Sequence, residues 1–182
     1  MKPYRLLLST PALFCMLNTL SYADDKQFFL GARYGQYYFD LAEAAKVDDA
    51  QGFSAVGSLD MRNGFALEFE VGDSGKTHFT NTGNTIEGGD LRVRHLGAYA
   101  AYRTSTTVYG KLKLGVSVNS LDTSNLDCPY SLCTNTISND GGSTAYGVGM
   151  GVRFSDRIRA ELEYTAIDSD IDMIQLGVLV GL

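Results

Sequence analysis

Residues 145–154 read Ala-Tyr-Gly-Val-Gly-Met-Gly-Val-Arg-Phe, and this alternation decides the fold. Tyr146, Val148, Met150, Val152 and Phe154 fall on one side of an extended chain, and Ala145, Gly147, Gly149, Gly151 and Arg153 on the other. A period of two marks a strand, because successive strand side chains point to opposite faces. Glycine at every second position would leave holes in the core of a globular sandwich. In a narrow barrel, inward glycines make room for bulky or charged neighbours across the lumen.

The same parity runs along the chain in both directions. Ile174, Leu176, Val178, Val180 and Leu182 oppose Gln175, Gly177, Leu179 and Gly181, and Ala160, Leu162, Tyr164 and Ala166 oppose Arg159, Glu161, Glu163 and Thr165. Val108, Leu112, Leu114, Val116 and Val118 oppose Tyr109, Lys111, Lys113, Gly115 and Ser117. Phe65, Leu67, Phe69 and Val71 oppose Ala66, Glu68, Glu70 and Gly72. Segments 28–39, which carries Arg33, 52–59 and 94–103, with His95 inward, complete a set of eight. On strand after strand the charges share the glycine face.

Connection lengths alternate as well. Segments 60–64, 104–106 and 155–157 read as tight turns, whereas 40–51, 73–90 and 121–142 are long and polar; only the last connection of the long rim, 168–172, is short. Short turns on one rim and long loops on the other mark transmembrane barrels. The strands also run to about ten residues, the length of a tilted span. Tyr38, Tyr102, Phe65, Phe154 and Tyr164 sit near strand ends, as an interfacial girdle requires. The expectation is a single all-β domain, an eight-stranded antiparallel up-and-down transmembrane β-barrel with its apolar face toward lipid. Hydrocarbon offers no partner to a free backbone group, so the sheet must close, and about eight strands leave a lumen that side chains fill. There Arg33, Lys111, Lys113, Arg153 and Arg159 are expected to neutralise Glu68, Glu70, Glu161 and Glu163, since an unpartnered buried charge costs several kcal/mol.

Residues 1–23 read as a cleaved secretory signal: Lys2 and Arg5, apolar runs through Leu17, then Ser21-Tyr22-Ala23 before Asp24. Leu13 and Phe14 are too bulky to make Cys15 a lipobox cysteine. The mature domain is then 24–182, and loss of two cations takes the net charge from −6 to −8, which excludes nucleic acid as a partner. After residue 23 nothing approaches the roughly 20 apolar residues of a spanning helix. Cys128 and Cys133, within Cys-Pro-Tyr-Ser-Leu-Cys, are expected to form a disulfide at a loop tip after export to an oxidising compartment.

Ala-Leu-Glu-Phe-Glu at 66–70, Tyr-Gly-Lys-Leu-Lys-Leu-Gly-Val at 109–116, Tyr-Gly-Val-Gly-Met-Gly-Val-Arg-Phe at 146–154 and Arg-Ala-Glu-Leu-Glu-Tyr at 159–164 make the chain resemble small OmpA-type and opacity-protein-type outer-membrane barrels. The resemblance covers essentially the whole mature chain. It implies a Gram-negative outer membrane, contact with its lipid and lipopolysaccharide, and insertion by the assembly machinery. Such barrels serve adhesion, envelope support or immune evasion, so the motifs speak for architecture more than activity. They usually end in an aromatic residue, from which Leu182 departs, and no peptidoglycan-binding domain is expected after the barrel.

Little in the sequence points to chemistry. His95 has Gly97 where a His-x-Ser pair needs serine, and its parity makes it an interior polar residue. His78 lies among Thr77, Thr80 and Thr82 with no carboxylate at an orienting spacing. Asp168, Asp170 and Asp172 supply too few oxygens for calcium unless other loops converge. The expected function is therefore a non-enzymatic structural or surface-interaction role, adhesin- or opacity-like. Its loops would meet a host or surface ligand, with no cofactor, metal or catalytic residue. A lipid A-modifying enzyme and a narrow passive pore are the alternatives.

Overall fold

The computed structural model describes residues 27–40, 45–81, 88–127 and 136–182. Residues 1–23, expected as an export signal, and the Cys128 and Cys133 pair lie outside the described residues. Strands β1 (Gln27–Phe39), β2 (Ala45–Val47), β3 (Ala50–Asp60), β4 (Phe65–Asn81), β5 (Gly88–Arg103), β6 (Val108–Asp127), β7 (Thr136–Ser155), β8 (Ile158–Asp168) and β9 (Ile171–Gly181) form one antiparallel sheet. Each long strand pairs with its sequence neighbour, and β1 pairs with β9 from Phe29↔Gly181 to Phe39↔Ile171. That last ladder closes an eight-stranded barrel; β2 is a three-residue addition to the upper part of β4.

Burial alternates as the parity requires. Leu112, Leu114, Val116 and Val118 are exposed on the outer wall, while Lys111, Lys113 and Ser117 are buried inside. The inward glycines lie beneath large neighbours, on the adjacent strand for Gly151 and Gly177 and two residues along the same strand for Gly97. A Cβ at Gly151 would strike the Tyr109 ring, one at Gly97 the Tyr99 ring, and one at Gly177 the Arg33 side chain. Aromatic pairs mark both edges of the apolar belt, Phe65 with Tyr102 (5.3 Å between ring centres) and Tyr34 with Phe53 (4.8 Å).

The expected loops at 73–90 and 121–142 need correction. The sheet continues through most of them, so β6 and β7 each run for 20 residues and stay paired from Val108↔Val152 to Ser124↔Thr136. Backbone pairing does not depend on side-chain polarity, and Thr is itself a good strand former. Polarity ends the lipid belt without ending the ladder. The apolar part of β6, Val108 to Val118, covers about 25 Å at a barrel tilt, and the rest carries a paired ribbon on the order of 20 Å further.

The short-turn rim is pinned by local backbone geometry. Between β3 and β4 a 3-10 turn at Arg62–Gly64 places Asn63 at φ 64° and Gly64 at φ 82°, with the Met61 amide donating to the Phe65 carbonyl at 2.8 Å. A Cβ at Gly64 would be strained by that φ and would also meet the Arg103 carbonyl. Gly64→Ala is expected to cost about 1–2 kcal/mol, read as a lower urea midpoint for the refolded barrel. An unchanged midpoint would mean that the turn is not a constraint.

Candidate functional site

The lumen is layered. Near the short-turn rim Phe29, Val56 and Leu179 pack together. At the opposite mouth Tyr37, Ala50, Val93, Ile167, Ile171 and Met173 form a second apolar plug, joined by Phe39 and Leu121. Between the plugs lies a charged middle.

Arg33, on β1, reaches all four inward glutamates: Glu70 at 2.9 Å, Glu161 at 3.1 Å, Glu163 at 3.2 Å and Glu68 at 3.6 Å. Lys111 Nζ lies 2.7 Å from Glu68, 3.0 Å from Glu161 and 2.5 Å from Glu163. Lys113 Nζ is 3.2 Å from Glu70 and also pairs with Glu163. Arg159 binds Asp60 at 2.6 Å and stands 3.5 Å from Glu161. These strands are neighbours across the lumen rather than along the sequence, which is why alternating charge on separate strands converges. A low dielectric makes each pair strong, and full reciprocal pairing offsets the loss of hydration.

Parity reasoning missed two members. Arg103 continues the inward series of His95, Gly97 and Tyr99, and it binds Glu68, Glu161 (2.9 Å) and Asp60 (3.1 Å). Asp60 reads as a turn residue in sequence, yet it closes the network beneath Arg103 and Arg159. With them the network, which passes Phe29 and reaches the short-turn rim at Asp60, holds five cations (Arg33, Arg103, Lys111, Lys113, Arg159) against five carboxylates (Asp60, Glu68, Glu70, Glu161, Glu163).

Arg153 does not belong to this network, contrary to expectation. It sits at the end of β7, where the ladder shifts register, and donates to the carbonyls of Thr104 (3.1 Å) and Thr106 while lying 4.4 Å over the Tyr109 ring. The Tyr109 ring stands between it and the carboxylates. Tyr109 itself donates to Glu161 at 2.9 Å. His95 is buried as its parity requires. Its Nε2 stands 3.8 Å from Glu70 Oε1, and neither ring nitrogen has a hydrogen-bond partner among the described residues.

A closed barrel that is apolar outside and ionic inside is built for a bilayer, and the family model for the outer membrane protein beta-barrel domain matches residues 7–181. The chain belongs to that outer-membrane β-barrel family. Solved structures share its fold at low identity. Ail, the attachment invasion locus protein of Yersinia pestis, in complex with the heparin analogue sucrose octasulfate, is 16% identical over 87% of this chain and 98% of its own, with a TM-score of 0.54. Neisserial surface protein A is 16% identical over 84% and 96%, with a TM-score of 0.52. OprG of Pseudomonas aeruginosa is 10% identical over 87% and 96%, with a TM-score of 0.58. No curated protein matches the sequence.

In an outer-membrane barrel the long-loop rim faces outward, so the paired extensions of β4–β5 and β6–β7 are external ribbons. His78 stands on the first of them. The ladder supplies the carboxylate that sequence spacing hid: Asp90 is its cross-strand partner, with Nδ1 3.9 Å from Oδ1. Asp90 is shared with Lys76 at 3.9 Å and Asn125 at 2.6 Å, so the group around His78 is a set of charges and amides. Asp168 is engaged by Asn119 (3.3 Å) and by the Ser169 amide (2.7 Å), and among the described residues no three carboxylate, histidine or cysteine groups gather as a metal would need.

Proposed function

We propose that this outer-membrane barrel is a non-enzymatic surface-interaction protein, a rigid pedestal whose external ribbons meet a ligand outside the cell. The observation that carries this reading is the sealed lumen. Matched charge pairs fill the lumen behind the apolar plug at its outer mouth and leave no path for a solute, so the parts left to do work are those above the membrane. The ribbons are held by continuous ladders rather than hanging as free loops, which lowers the ordering cost of binding. Their Ser, Thr and Asn side chains offer hydrogen bonds, and a disulfide between Cys128 and Cys133 would stiffen the tip between β6 and β7. On this reading residues 1–23 direct export and the domain 24–182 inserts through the outer-membrane assembly machinery.

The test is a shortened β6–β7 ribbon. Leu121 packs against the outer apolar plug, so the cut belongs above it: joining Asp122 to Ser138, which are register partners, through Asn-Gly keeps the plug intact. Cells carrying this variant are expected to lose attachment to host matrix while the barrel keeps its heat-modifiable gel mobility. Unchanged attachment by a folded variant would overturn the proposal. Ohmic channels in a planar bilayer, or a change in lipid A mass that depends on the gene, would favour the pore or the enzyme instead.

A further inference from the structure

The strands that meet at the external rim are of unequal length. β7 stays paired with β6 as far as Ser124↔Thr136 but with β8 only as far as Tyr146↔Ala166, because β8 and β9 turn back on each other between Asp168 and Ile171. From Gly142 up to Thr136, β7 is therefore a sheet edge. β6 holds it on one side, and no strand among the described residues pairs with it on the other. Along this stretch, on the order of 20 Å long, alternate residues turn their N–H and C=O groups away from β6. The far border of the external sheet is finished differently, with β2 laid along the top of β4 from Val47↔Phe79 to Ala45↔Asn81.

Exposed edges are commonly blunted by lysine, by proline or by a bulge. Residues 136–144 contain neither lysine nor proline, and their ladder with β6 runs without a register shift. They contain Gly141 and Gly142 instead. Neither takes a left-handed φ; a Cβ at Gly141 would meet nothing within 4 Å, and one at Gly142 would only touch the Ser117 carbonyl at 3.8 Å. The lumen glycines are each explained by a neighbour that a Cβ would strike, whereas nothing among the described residues calls for glycine at these two positions. Glycine on a strand edge suits the close approach of a second backbone.

The charge beside the edge selects its partner. Asp140 is exposed on β7 itself, and Ser143 ties the foot of the edge to the β8–β9 turn by donating to the Ile167 carbonyl. That turn carries Asp168 and Asp170, and Asp40 is joined to it through its amide, 2.9 Å from the Asp170 carbonyl. Asp168 accepts from Asn119 and from the Ser169 amide, and none of these four carboxylates pairs with a cation. The external cations whose side chains are described, Lys76, Arg92 and Arg94, stand on the opposite wall and are taken up by Asp90, Asp73 and Asp122. A second copy of the chain would bring its own Asp140 to the edge, and like charges on facing strands repel. A polyanion is repelled in the same way.

We propose that the β7 edge from Thr136 to Gly142 takes up an extended, lysine- or arginine-bearing polypeptide segment of an external partner as an added strand. This inference rests on the surface-interaction reading and names its mode. Main-chain hydrogen bonds to the free edge supply affinity whatever the partner's sequence, and cations facing Asp140, Asp168 and Asp170 supply selection. Because β6 already holds the edge extended, only the incoming strand has to be ordered.

The test places the full-length protein in nanodiscs of zwitterionic lipid and adds one of three synthetic peptides: Thr-Lys-Val-Lys-Val-Lys-Thr, the same peptide with Glu for Lys, and the basic peptide N-methylated at every residue. The basic peptide is expected to bind and to slow hydrogen exchange at the outward-turned amides of residues 136–142. The other two should bind at least about tenfold more weakly, one for want of charge pairs and one for want of backbone bonds. D140N/D170N, which alters two exposed carboxylates outside the lumen network, should weaken the basic peptide several-fold and leave heat-modifiable mobility unchanged. Equal binding of the N-methylated peptide would overturn strand addition, and equal binding of the acidic one would overturn the basic partner. Outward amides already protected without peptide would overturn the free edge, a second copy being the occupant if that protection rises with protein concentration. Should D140N/D170N fail to fold, the three-peptide comparison on the unaltered protein still decides. If the shortened β6–β7 ribbon abolishes cell attachment while no peptide slows exchange at the edge, this inference alone falls; unchanged attachment removes the reading beneath it.

Discussion

Reversing Lys111 and Lys113 to glutamate is expected to abolish the folded, heat-modifiable form of the barrel. The substitution turns five cations against five carboxylates into three against seven, at two positions buried in the lumen beneath its outer apolar plug. Removing one partner of a buried pair costs about 3–5 kcal/mol, and a domain of this size has about 5–15 kcal/mol to lose. Two reversals, each adding repulsion to a lost attraction, exceed that margin. Lys113→Met alone, which leaves the network one cation short while Arg33 and Lys111 still face Glu70 and Glu163, should fold with its urea midpoint lowered by an amount worth about 3–5 kcal/mol. Exchanging the pair, Lys113→Glu with Glu70→Lys, restores neutrality and should recover much of that loss. Normal gel mobility for the double reversal would show that water or counter-ions reach the lumen, and the sealed interior would be abandoned together with the pedestal reading.

How legible this was in the sequence depended on which physical rule governed each residue. Strand parity is local, so Lys111 and Lys113 on one strand, or Glu161 and Glu163 on another, could be assigned inward without knowing their neighbours. The hydrophobic belt was legible for the same reason. Arg103 was missed because it closes its strand beside a turn, where a charged residue passes for solvated. Asp60 was missed for the same reason, yet both are drawn inward by the network. Arg153 erred the other way: its parity is inward, but a register shift at the end of β7 turns it to the turn carbonyls. The external ribbons were hidden behind composition, since Thr, Ser and Asn read as loop while their backbones continue the ladder. The His78 and Asp90 pairing depends on register between strands, which no single segment encodes.

The glycines supply the sharper test of closure, because two of them on one strand differ only in which way they face. Gly110 looks outward between Val108 and Leu112, and a Cβ there meets nothing within 4 Å. Gly115 looks inward, where a Cβ would run into the Ala98 carbonyl and stand 2.7 Å from the Tyr99 Cα. Those are backbone atoms of the adjacent strand, held by the ladder that pairs Gly115 with Tyr99, and a closed sheet has no free edge along which to yield. Gly115→Val should therefore cost at least about 3 kcal/mol, the upper range for overpacking, and shift the unfolding midpoint down strongly or leave the chain unfolded. Gly110→Val should be neutral or stabilise by up to about 1 kcal/mol, since it replaces a flexible residue with a strand former facing lipid. Measured side by side in urea, the pair should differ by several kcal/mol despite identical chemistry. Equal effects would mean that β6 does not present these two faces to lipid and lumen, and the register that places Lys111 and Lys113 among the glutamates would be wrong by one residue.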